Sequence, residues 1–295
     1  MIEKGIILAG GRGTRLSPVT KSTNKQLLPI YDKPLFFYPL SNLMLADIRK
    51  ILIIVNKGQI KNFYNSVGNG NHLGIKISFK EQKNPNGIPE SFKIGKKFIG
   101  NSNVALILGD NFFYGQGLID QLEEAKKFKS GCTVYLKDDL KPENYGVVKI
   151  KRNKIDLIVE KPKKFISNKV ITGLYLFDNK VIKLSHKLKP SKRNETEIVD
   201  LIKHYQKKRS LSYIKLGRGA IWSDAGKIDD FMNISNFVTS VEKVQGHKIA
   251  CLDEIAYRKK WITKDQLIKN INFYGNCPYS NYLKKILKKK KTKIN

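Results

Sequence analysis

The chain has 295 residues, which is enough for one large α/β domain or for one domain with an appendage. Its formal net charge is +31, but the lysines are spread along the chain without a nucleic-acid-binding motif, so we expect no specific nucleic-acid partner. Three scattered cysteines, the absence of a signal peptide and the absence of a membrane-length apolar run argue against a disulfide scaffold, a zinc site and a membrane partner, and predict a cytoplasmic protein.

The first predicted element is a short buried strand at residues 6–8, which runs into Gly10, Gly11 and Gly13. Glycines at a strand end expose backbone N–H groups that bind anions, and Arg15 carries a fork of donors suited to phosphate. The P-loop and the dinucleotide-binding fingerprint are both excluded, because no Gly-Lys-Ser/Thr follows and Leu16 stands where the third glycine would be. A purely structural turn remains the alternative for this motif alone.

A second cation and an amide follow at short range, in K-Q-L-L-P-I-Y-D-K-P at residues 25–34. Together with the glycine loop, they predict a pocket for a nucleoside triphosphate.

The next part of the chain alternates between helical and extended patterns. A buried helix is predicted at 34–48, strands at 51–55 and 75–79, a helix after the turn at 85–87 through about Phe98, and a strand at 104–108 that ends in Gly109-Asp110-Asn111. This alternation predicts a parallel, doubly wound sheet. Because ligands bind at the carboxyl ends of such strands, we expect residues 10–15 and Asp110 to converge.

The second half of the chain begins with a strand at 133–136 and a hairpin made from 145–150 and 155–162. A strand beginning at Thr172, a helix at 195–206, an extended segment at 211–216 and a helix from about Ile228 follow. From Ala250 onward the pattern is helical and lysine-rich, with a concentrated basic block at 283–293. We therefore predict an α/β fold with a mainly parallel Rossmann-like sheet flanked by helices, in a catalytic domain at 1–249 and a helical annex at 250–295.

Two aspartates are the best metal ligands that the sequence offers. Asp110 follows a strand and Asp224 lies in a loop before a helix, and magnesium held with substrate phosphates needs only one or two protein carboxylates. The alternative is that either residue only caps a helix or a turn. No Ser-His-Asp or Cys-His arrangement is present, which favours phosphoryl-type transfer through positioning and charge neutralisation.

Lys161 is the next candidate, because Pro162 should hold its backbone extended and so present its side chain. The alternative interpretation is that Lys161 is one more solvent-exposed lysine. Glu160 should then point the other way, or reach a sugar if the strand ends there.

Nine short motifs occur together in this chain: A-G-G-x-G-T-R-L, K-Q-L-L-P, Y-D-K-P, the P-N-G turn, L-G-D-N-F-F-Y-G, E-N-Y-G-V-V-K-I, E-K-P, T-G-L-Y-L-F-D and W-S-D-A-G. In this combination the chain resembles the sugar-1-phosphate nucleotidylyltransferases over nearly its whole length, and among them the thymidylyl-transferring branch. The resemblance implies magnesium-dependent transfer from dTTP to glucose-1-phosphate, giving dTDP-glucose and pyrophosphate by in-line attack without a covalent intermediate. This reaction would be the first step of dTDP-rhamnose synthesis.

The resemblance also implies roles for particular residues. Arg15, Lys25 and Lys161 would be catalytic, with Arg15 and Lys25 on the triphosphate and Lys161 on the sugar phosphate. Asp110 and Asp224 would bind Mg²⁺. The nucleotide would contact Leu8, Gly10, Gly11, Gly13, Thr14, Arg15, Lys25, Gln26, Gln82, Gly87 and Asp110, with Gln26, Gln82 and Gly87 at the thymine. The sugar would contact Asn111, Tyr145, Gly146, Glu160, Lys161, Ile171 and Thr172.

A homo-oligomer, most simply a tetramer, and a feedback site for an end product of the pathway are implied as well.

Three stretches depart from the family pattern. Pro89-Glu90-Ser91 replaces Ala-Gln-Ala, which puts Glu90 near a triphosphate unless it faces away. Ala225-Gly226-Lys227 replaces Thr-Gly-Thr, and Ile158-Val159 replaces an acidic residue before Glu160. The alternatives kept open are a relative that uses UTP, ATP or GTP, a non-catalytic relative, and a basic nucleic-acid-binding protein.

Overall fold

The computed structural model describes residues 1–11, 13–191 and 194–288. The predicted annex is therefore described through Lys288, and the last part of the predicted basic block, residues 289–293, lies outside the described residues.

The described chain alternates between strands and helices, as the sequence pattern predicts. The strands are β1 (Ile2–Ala9), β2 (Pro29–Ile30), β3 (Lys33–Pro34), β4 (Lys50–Asn56), β5 (Lys76–Gln82), β6 (Asn103–Leu108), β7 (Phe112–Tyr114), β8 (Cys132–Asp138), β9 (Gly146–Lys151), β10 (Lys154–Glu160), β11 (Lys169–Phe177), β12 (Leu211–Lys215) and β13 (Ile221–Ser223). The helices are α1 (Phe37–Leu45), α2 (Ile60–Val67), α3 (Glu90–Ile94), α4 (Lys96–Ile99), α5 (Leu118–Lys127), α6 (Lys180–Ser185), α7 (Ile198–Lys207), α8 (Ile228–Gln245), α9 (Leu252–Arg258), α10 (Lys264–Tyr274) and α11 (Pro278–Lys288).

The central sheet has nine strands, with the order β10-β9-β11-β6-β1-β4-β5; β8 pairs with β11, and β12 pairs with β8. Strands β5, β4, β1 and β6 are parallel neighbours, and β11 runs antiparallel to β6, β8 and β9. Neighbouring residues of β1, such as Ile6 and Ile7, are both fully buried, because apolar side chains cover both faces of the sheet. The predicted fold class is confirmed.

The predicted hairpin is confirmed, since β9 and β10 pair antiparallel. The helix predicted to run through Phe98 is instead two short helices, α3 and α4, which meet at Gly95. A Cβ at Gly95 would lie 3.0 Å from Ile6 Cδ1, so glycine lets this junction press directly against the sheet. The helix predicted at 195–206 begins at Ile198 and ends at Lys207, a shift of a few residues at its start.

The C-terminal helices α9–α11 share the core of the catalytic part. Leu252, Leu267 and Leu283 belong to the same buried apolar cluster as Ile7 and Ile53 of the central sheet. The helical annex is thus present, while its boundary at residue 250 stays a prediction. Among the described residues, no helix combines the length and the apolarity needed to cross a membrane.

A buried ionic cluster joins α8 to the β2–β3 hairpin. Glu242 accepts hydrogen bonds from Lys33 Nζ at 3.2 Å, Lys248 Nζ at 3.1 Å and the Ile249 backbone N–H at 2.9 Å. Asp32 pairs with the same two lysines. Each buried charge therefore has a partner of opposite sign, as burial requires.

Candidate active site

Four parallel strands end at the same edge of the sheet, and each places a residue of the candidate site there. Gly10 follows β1, Asn56 ends β4, Gln82 ends β5 and Asp110 follows β6 by two residues. Asn56 and Gln82 are direct register partners. The predicted convergence of the glycine loop and Asp110 is confirmed, because both line one cleft at this edge.

We call this the loop cleft; its volume is about 700 Å³. It is lined by Gly10, Gly11, Gly13, Thr14, Arg15, Leu16, Lys25, Gln26, Asn84, Pro85, Asn86, Asp110, Asn194, Glu195 and Gly226. Gly11 and Gly13 have φ angles of +116° and +59°, which an L side chain would strain. Arg15 follows these glycines, is exposed and lines the cleft.

A second cleft, here called the hairpin cleft, has a volume of about 690 Å³. Its lining comes from the segment after β8, from the turn after β10 and from the region around β13, and includes Tyr145, Lys161, Trp222 and Asp224. Arg15 and Gly226 line both clefts, so the two join there. The arrangement provides two adjacent binding sites with a common wall.

Lys25 lies where the two aspartates approach each other. Its nearly buried Nζ donates to Asp110 Oδ2 at 2.7 Å and to the backbone oxygen of Asp224 at 3.0 Å. The turn that carries Lys25 is capped by Asn24, whose side chain accepts from the Gln26 N–H at 2.9 Å. One cation thus joins the end of β6 to the segment after β13.

Asp110 is also close enough to Asp224 to affect the ionisation of Asp224. Burial, and then the negative charge of Asp110, raise the pKa of Asp224 above its usual value, while Lys25 and Arg15 act in the opposite direction. Carboxylate oxygens are the ligands that Mg²⁺ prefers, and a carboxylate whose ionisation is disfavoured gains most from a nearby cation. The two residues therefore fit a divalent cation held together with substrate phosphates.

Two glutamine amides flank Gly10. Gln26 Nε2 donates to the Gly10 carbonyl at 3.2 Å, and its buried Oε1 has no hydrogen-bond partner among the described residues. Gln82 packs on Gly10 so closely that a Cβ there would lie 1.6 Å from Gln82 Nε2. Since an unpaired buried acceptor is costly, Gln26 Oε1 is suited to a donor brought by a ligand. Leu8 precedes this pair and is half-buried against the core.

The turn at 85–87 borders the loop cleft, with Pro85 and Asn86 in its lining and Gly87 outside the lining. Gly87 has a φ angle of +104°, and a Cβ there would lie 2.1 Å from the Thr196 backbone oxygen. Thr196 donates from its backbone N–H to the Asn86 carbonyl at 2.9 Å, which fixes the turn. Glu90 does not line either cleft and pairs with Lys93 at 3.0 Å, so it faces away from the triphosphate position.

Tyr145 and Trp222 form an aromatic wall of the hairpin cleft, with ring centroids 4.9 Å apart. Burial, and then the negative charge of Asp224, raise the pKa of Tyr145. The wall therefore lies close to one of the two predicted metal ligands.

Lys161 lines the hairpin cleft, but the prediction of an extended backbone is wrong. Its φ angle is +45°, in the left-handed region, and its N–H donates to the Tyr145 carbonyl at 2.9 Å. β10 ends at Glu160, which pairs with Gly146, and the chain turns immediately afterwards. This tertiary hydrogen bond outweighs the local preference that Pro162 imposes, so the expected alternation between Glu160 and Lys161 does not apply.

The remaining residues predicted for the sugar are not in the lining of the hairpin cleft. Asn111 is buried, its Oδ1 accepts from Trp222 Nε1 at 2.7 Å and from Gly173 N at 3.1 Å, and its Nδ2 donates to Asp110 Oδ1 at 2.9 Å. The buried Thr172 hydroxyl donates to the Tyr135 carbonyl at 2.9 Å. Gly146, Glu160 and Ile171 adjoin one another, within 3.7 Å of the position that a Gly146 Cβ would take. Asn111 therefore joins β6, β11 and β13 behind Asp110.

The sequence profile of the nucleotidyl transferase family matches residues 4–241. The chain belongs to this family. It is 44% identical over 287 residues to a glucose-1-phosphate thymidylyltransferase of Neisseria meningitidis, covering 97% of this chain and 100% of the relative. It is 40% identical to that enzyme of Mycobacterium tuberculosis, covering 97% and 99%.

Solved structures agree with this placement. A candidate glucose-1-phosphate thymidylyltransferase of Bacillus anthracis, in complex with sucrose, has a TM-score of 0.74 at 37% identity and covers 79% of this chain and 94% of its own. The resemblance read from the motifs is confirmed, and this nucleotidyl transferase is an enzyme of the family that the motifs indicate.

Some site residues of this nucleotidyl transferase were missed by the sequence analysis. Asn56 makes two hydrogen bonds to Gly11, Asn194 and Glu195 line the loop cleft, and Trp222 walls the hairpin cleft. Asn56 had a usable signal, since it is a polar residue at the end of an apolar strand, as Asp110 is. Asn194 and Glu195 had none, because only the fold brings their segment to the turn at 85–87.

Proposed function

We propose that this enzyme transfers a thymidylyl group from dTTP to glucose-1-phosphate, giving dTDP-glucose and pyrophosphate. The observation that carries the proposal is Lys25, which bonds Asp110 Oδ2 and the Asp224 backbone beside the junction of two clefts. A cation and two carboxylates at that junction suit a reaction between two phosphate-bearing ligands. The names of the relatives in Neisseria and Mycobacterium support the same substrates.

The loop cleft would hold the nucleotide. Backbone N–H groups of the glycine loop and the exposed Arg15 would bind the triphosphate, since both provide donors for phosphate oxygens. Gln26 and Gln82 lie on either side of Gly10 and would read the pyrimidine. An amide both donates and accepts, which matches an imide edge such as that of thymine.

The hairpin cleft would hold glucose-1-phosphate. Tyr145 and Trp222 offer an aromatic wall for the sugar ring, and Lys161 offers a cation for its phosphate. The position of Lys161 after the left-handed turn places it in this cleft and outside the loop cleft. It should therefore act on the sugar phosphate more than on dTTP.

Asp110 and Asp224 would hold Mg²⁺, which supplies neutralisation of phosphate charge when bound. Lys25 keeps Asp110 turned toward the junction and adds a positive charge where pyrophosphate would leave. Among the described residues that line the two clefts, there is no cysteine or histidine. We expect direct in-line attack by the sugar phosphate on the α-phosphorus, without a covalent intermediate, because positioning and charge neutralisation suffice for phosphoryl-type transfer.

The place in dTDP-rhamnose synthesis, the cytoplasmic location, the homotetramer and the end-product feedback ligand stay predictions from the resemblance, as does the lack of a specific nucleic-acid partner.

The test is pyrophosphate release with glucose-1-phosphate and Mg²⁺, with dTTP, UTP, ATP and GTP compared side by side. We expect fast release with dTTP. Comparable release with UTP would support the proposed reaction but contradict the proposed preference for dTTP. This outcome is worth testing because the chain is similar to a UDP-glucose pyrophosphorylase structure, with 25% identity and a TM-score of 0.71. No release with any nucleotide would refute the proposal.

A further inference from the structure

Asn56 links the glycine loop to Gln82. Its Oδ1 accepts from the Gly11 N–H at 3.0 Å, and its Nδ2 donates to the Gly11 carbonyl at 2.7 Å. The same Oδ1 accepts from Gln82 Nε2 at 3.3 Å. Asn56 is only partly buried at the end of β4, beside Gln82 at the end of β5.

The two bonds to Gly11 fix which way the Asn56 amide faces. A backbone N–H can only donate and a backbone carbonyl can only accept, so a flipped amide would place two donors together and two acceptors together. Oδ1 of Asn56 must therefore face Gly11 N and Gln82. This in turn requires Gln82 to present its Nε2 toward Asn56.

With Nε2 fixed, the order of donor and acceptor along the Gln82 amide is fixed as well. One Nε2 hydrogen is donated to Asn56. The second Nε2 hydrogen and the Oε1 acceptor remain for a ligand, and their order along the amide is fixed. No described residue donates a hydrogen bond to Gln82 Oε1. Contact with Gly10 prevents the Gln82 amide from shifting sideways, because Gln82 Nε2 lies only 1.6 Å from the position that a Cβ on residue 10 would take.

The two possible orders of donor and acceptor along the amide pair with different pyrimidine bases. Thymine and uracil present a ring N–H donor beside a carbonyl acceptor, whereas cytosine presents a ring nitrogen acceptor beside an amino donor. An amide that can rotate by half a turn pairs with either edge, but an amide held in one order pairs with one of them.

We propose that Asn56 is a positioning residue for base selection, which holds Gln82 in the order that accepts thymine and uracil and rejects cytosine. The inference rests on the proposed function, since it requires Gln82 to face the base. Asn56 itself does not contact the base; it acts through Gln82 and through Gly11.

The test is the ratio of kcat/KM for dTTP to that for dCTP in the full-length enzyme, with glucose-1-phosphate and Mg²⁺. In Asn56→Leu, which is close in size but has no amide, we expect this ratio to fall about 10-fold or more, the size of effect typical of one or two hydrogen bonds. Asn56→Asp retains the acceptor for Gly11 N and Gln82, so it should keep more of the ratio even where kcat falls.

Asn103→Leu is the matched control. Asn103 also donates from its amide to a backbone carbonyl, that of Lys129 at 3.0 Å, but it lies at the opposite end of the sheet. It should leave the ratio unchanged. In a Gln82→Leu background, Asn56→Leu should produce no further change in the ratio, because the two residues act as one unit.

A folded Asn56→Leu enzyme with the wild-type ratio would overturn the positioning role while leaving the proposed function intact. Equal losses with dTTP and dCTP would also overturn it, since they indicate a role in loop structure only. If Asn56→Leu does not fold, Asn56→Ala removes the same amide without bulk and decides the question. Absence of wild-type turnover with dTTP would overturn both the proposed function and this inference.

Discussion

Replacing Gly10 by alanine tests the contact between the glycine loop and Gln82. The backbone at Gly10 lies outside the left-handed region, so alanine brings no conformational strain. Its Cβ would instead lie 1.6 Å from Gln82 Nε2 and 2.4 Å from Cδ. Since non-bonded carbons rest about 3.5 Å apart or more, the amide must retreat by about 2 Å.

That retreat should remove the Gln82 amide from both of its partners. It breaks the 3.3 Å bond to Asn56 and takes the amide out of reach of the base. Losing one or two net hydrogen bonds costs about 1–3 kcal/mol, which corresponds to a rise in the KM for dTTP of roughly 5- to 150-fold. Stability should fall little, because the displaced atoms are the end of a flexible side chain.

The assay measures the KM of each substrate with the other saturating, and the thermal midpoint of each variant. The KM for glucose-1-phosphate should be unchanged, because neither Gly10 nor Gln82 lines the hairpin cleft. Gly219→Ala is the control, since its nearest neighbour would lie at 3.9 Å. A folded Gly10→Ala enzyme with a normal KM for dTTP would refute the assignment of Gln82 to the base.

Three further substitutions test other parts of the site and the core. Asp110→Asn should lower kcat by roughly 100-fold or more while the fold is retained, since it removes a charge from the proposed metal site; unchanged turnover would contradict the metal assignment. Lys161→Ala should raise the KM for glucose-1-phosphate about 10- to 100-fold and the KM for dTTP much less. Equal rises in both KM values, measured in separate titrations, would contradict the assignment of Lys161 to the sugar phosphate. Glu242→Gln should destabilise the fold by roughly 3 kcal/mol, because Lys33 and Lys248 lose the charge that compensates their burial, whereas a wild-type denaturation midpoint would show that Asp32 alone suffices.

Much of the fold could be predicted from local sequence. Strands such as β1 and β4 are short, β-branched runs whose residues are buried whichever way they point, so their pattern needs no knowledge of partners. The predicted helices and strands are wrong where a contact between residues far apart in sequence determines the backbone conformation. Gly95 divides a predicted helix because the helix pair presses on Ile6, and Lys161 turns because the Tyr145 carbonyl binds its N–H.

The family, the glycine loop and the residue types that the chemistry needs can be recognised from neighbours in the chain. The contacts that join those residues depend on the folded chain: Lys25 with Asp110 and Asp224, and Asn56 with Gly11 and Gln82. Parallel strands bring their carboxyl ends to one edge, so residues far apart in sequence become neighbours there. Hydrogen bonds form between those neighbours in space, and no local pattern records which pairs they will be.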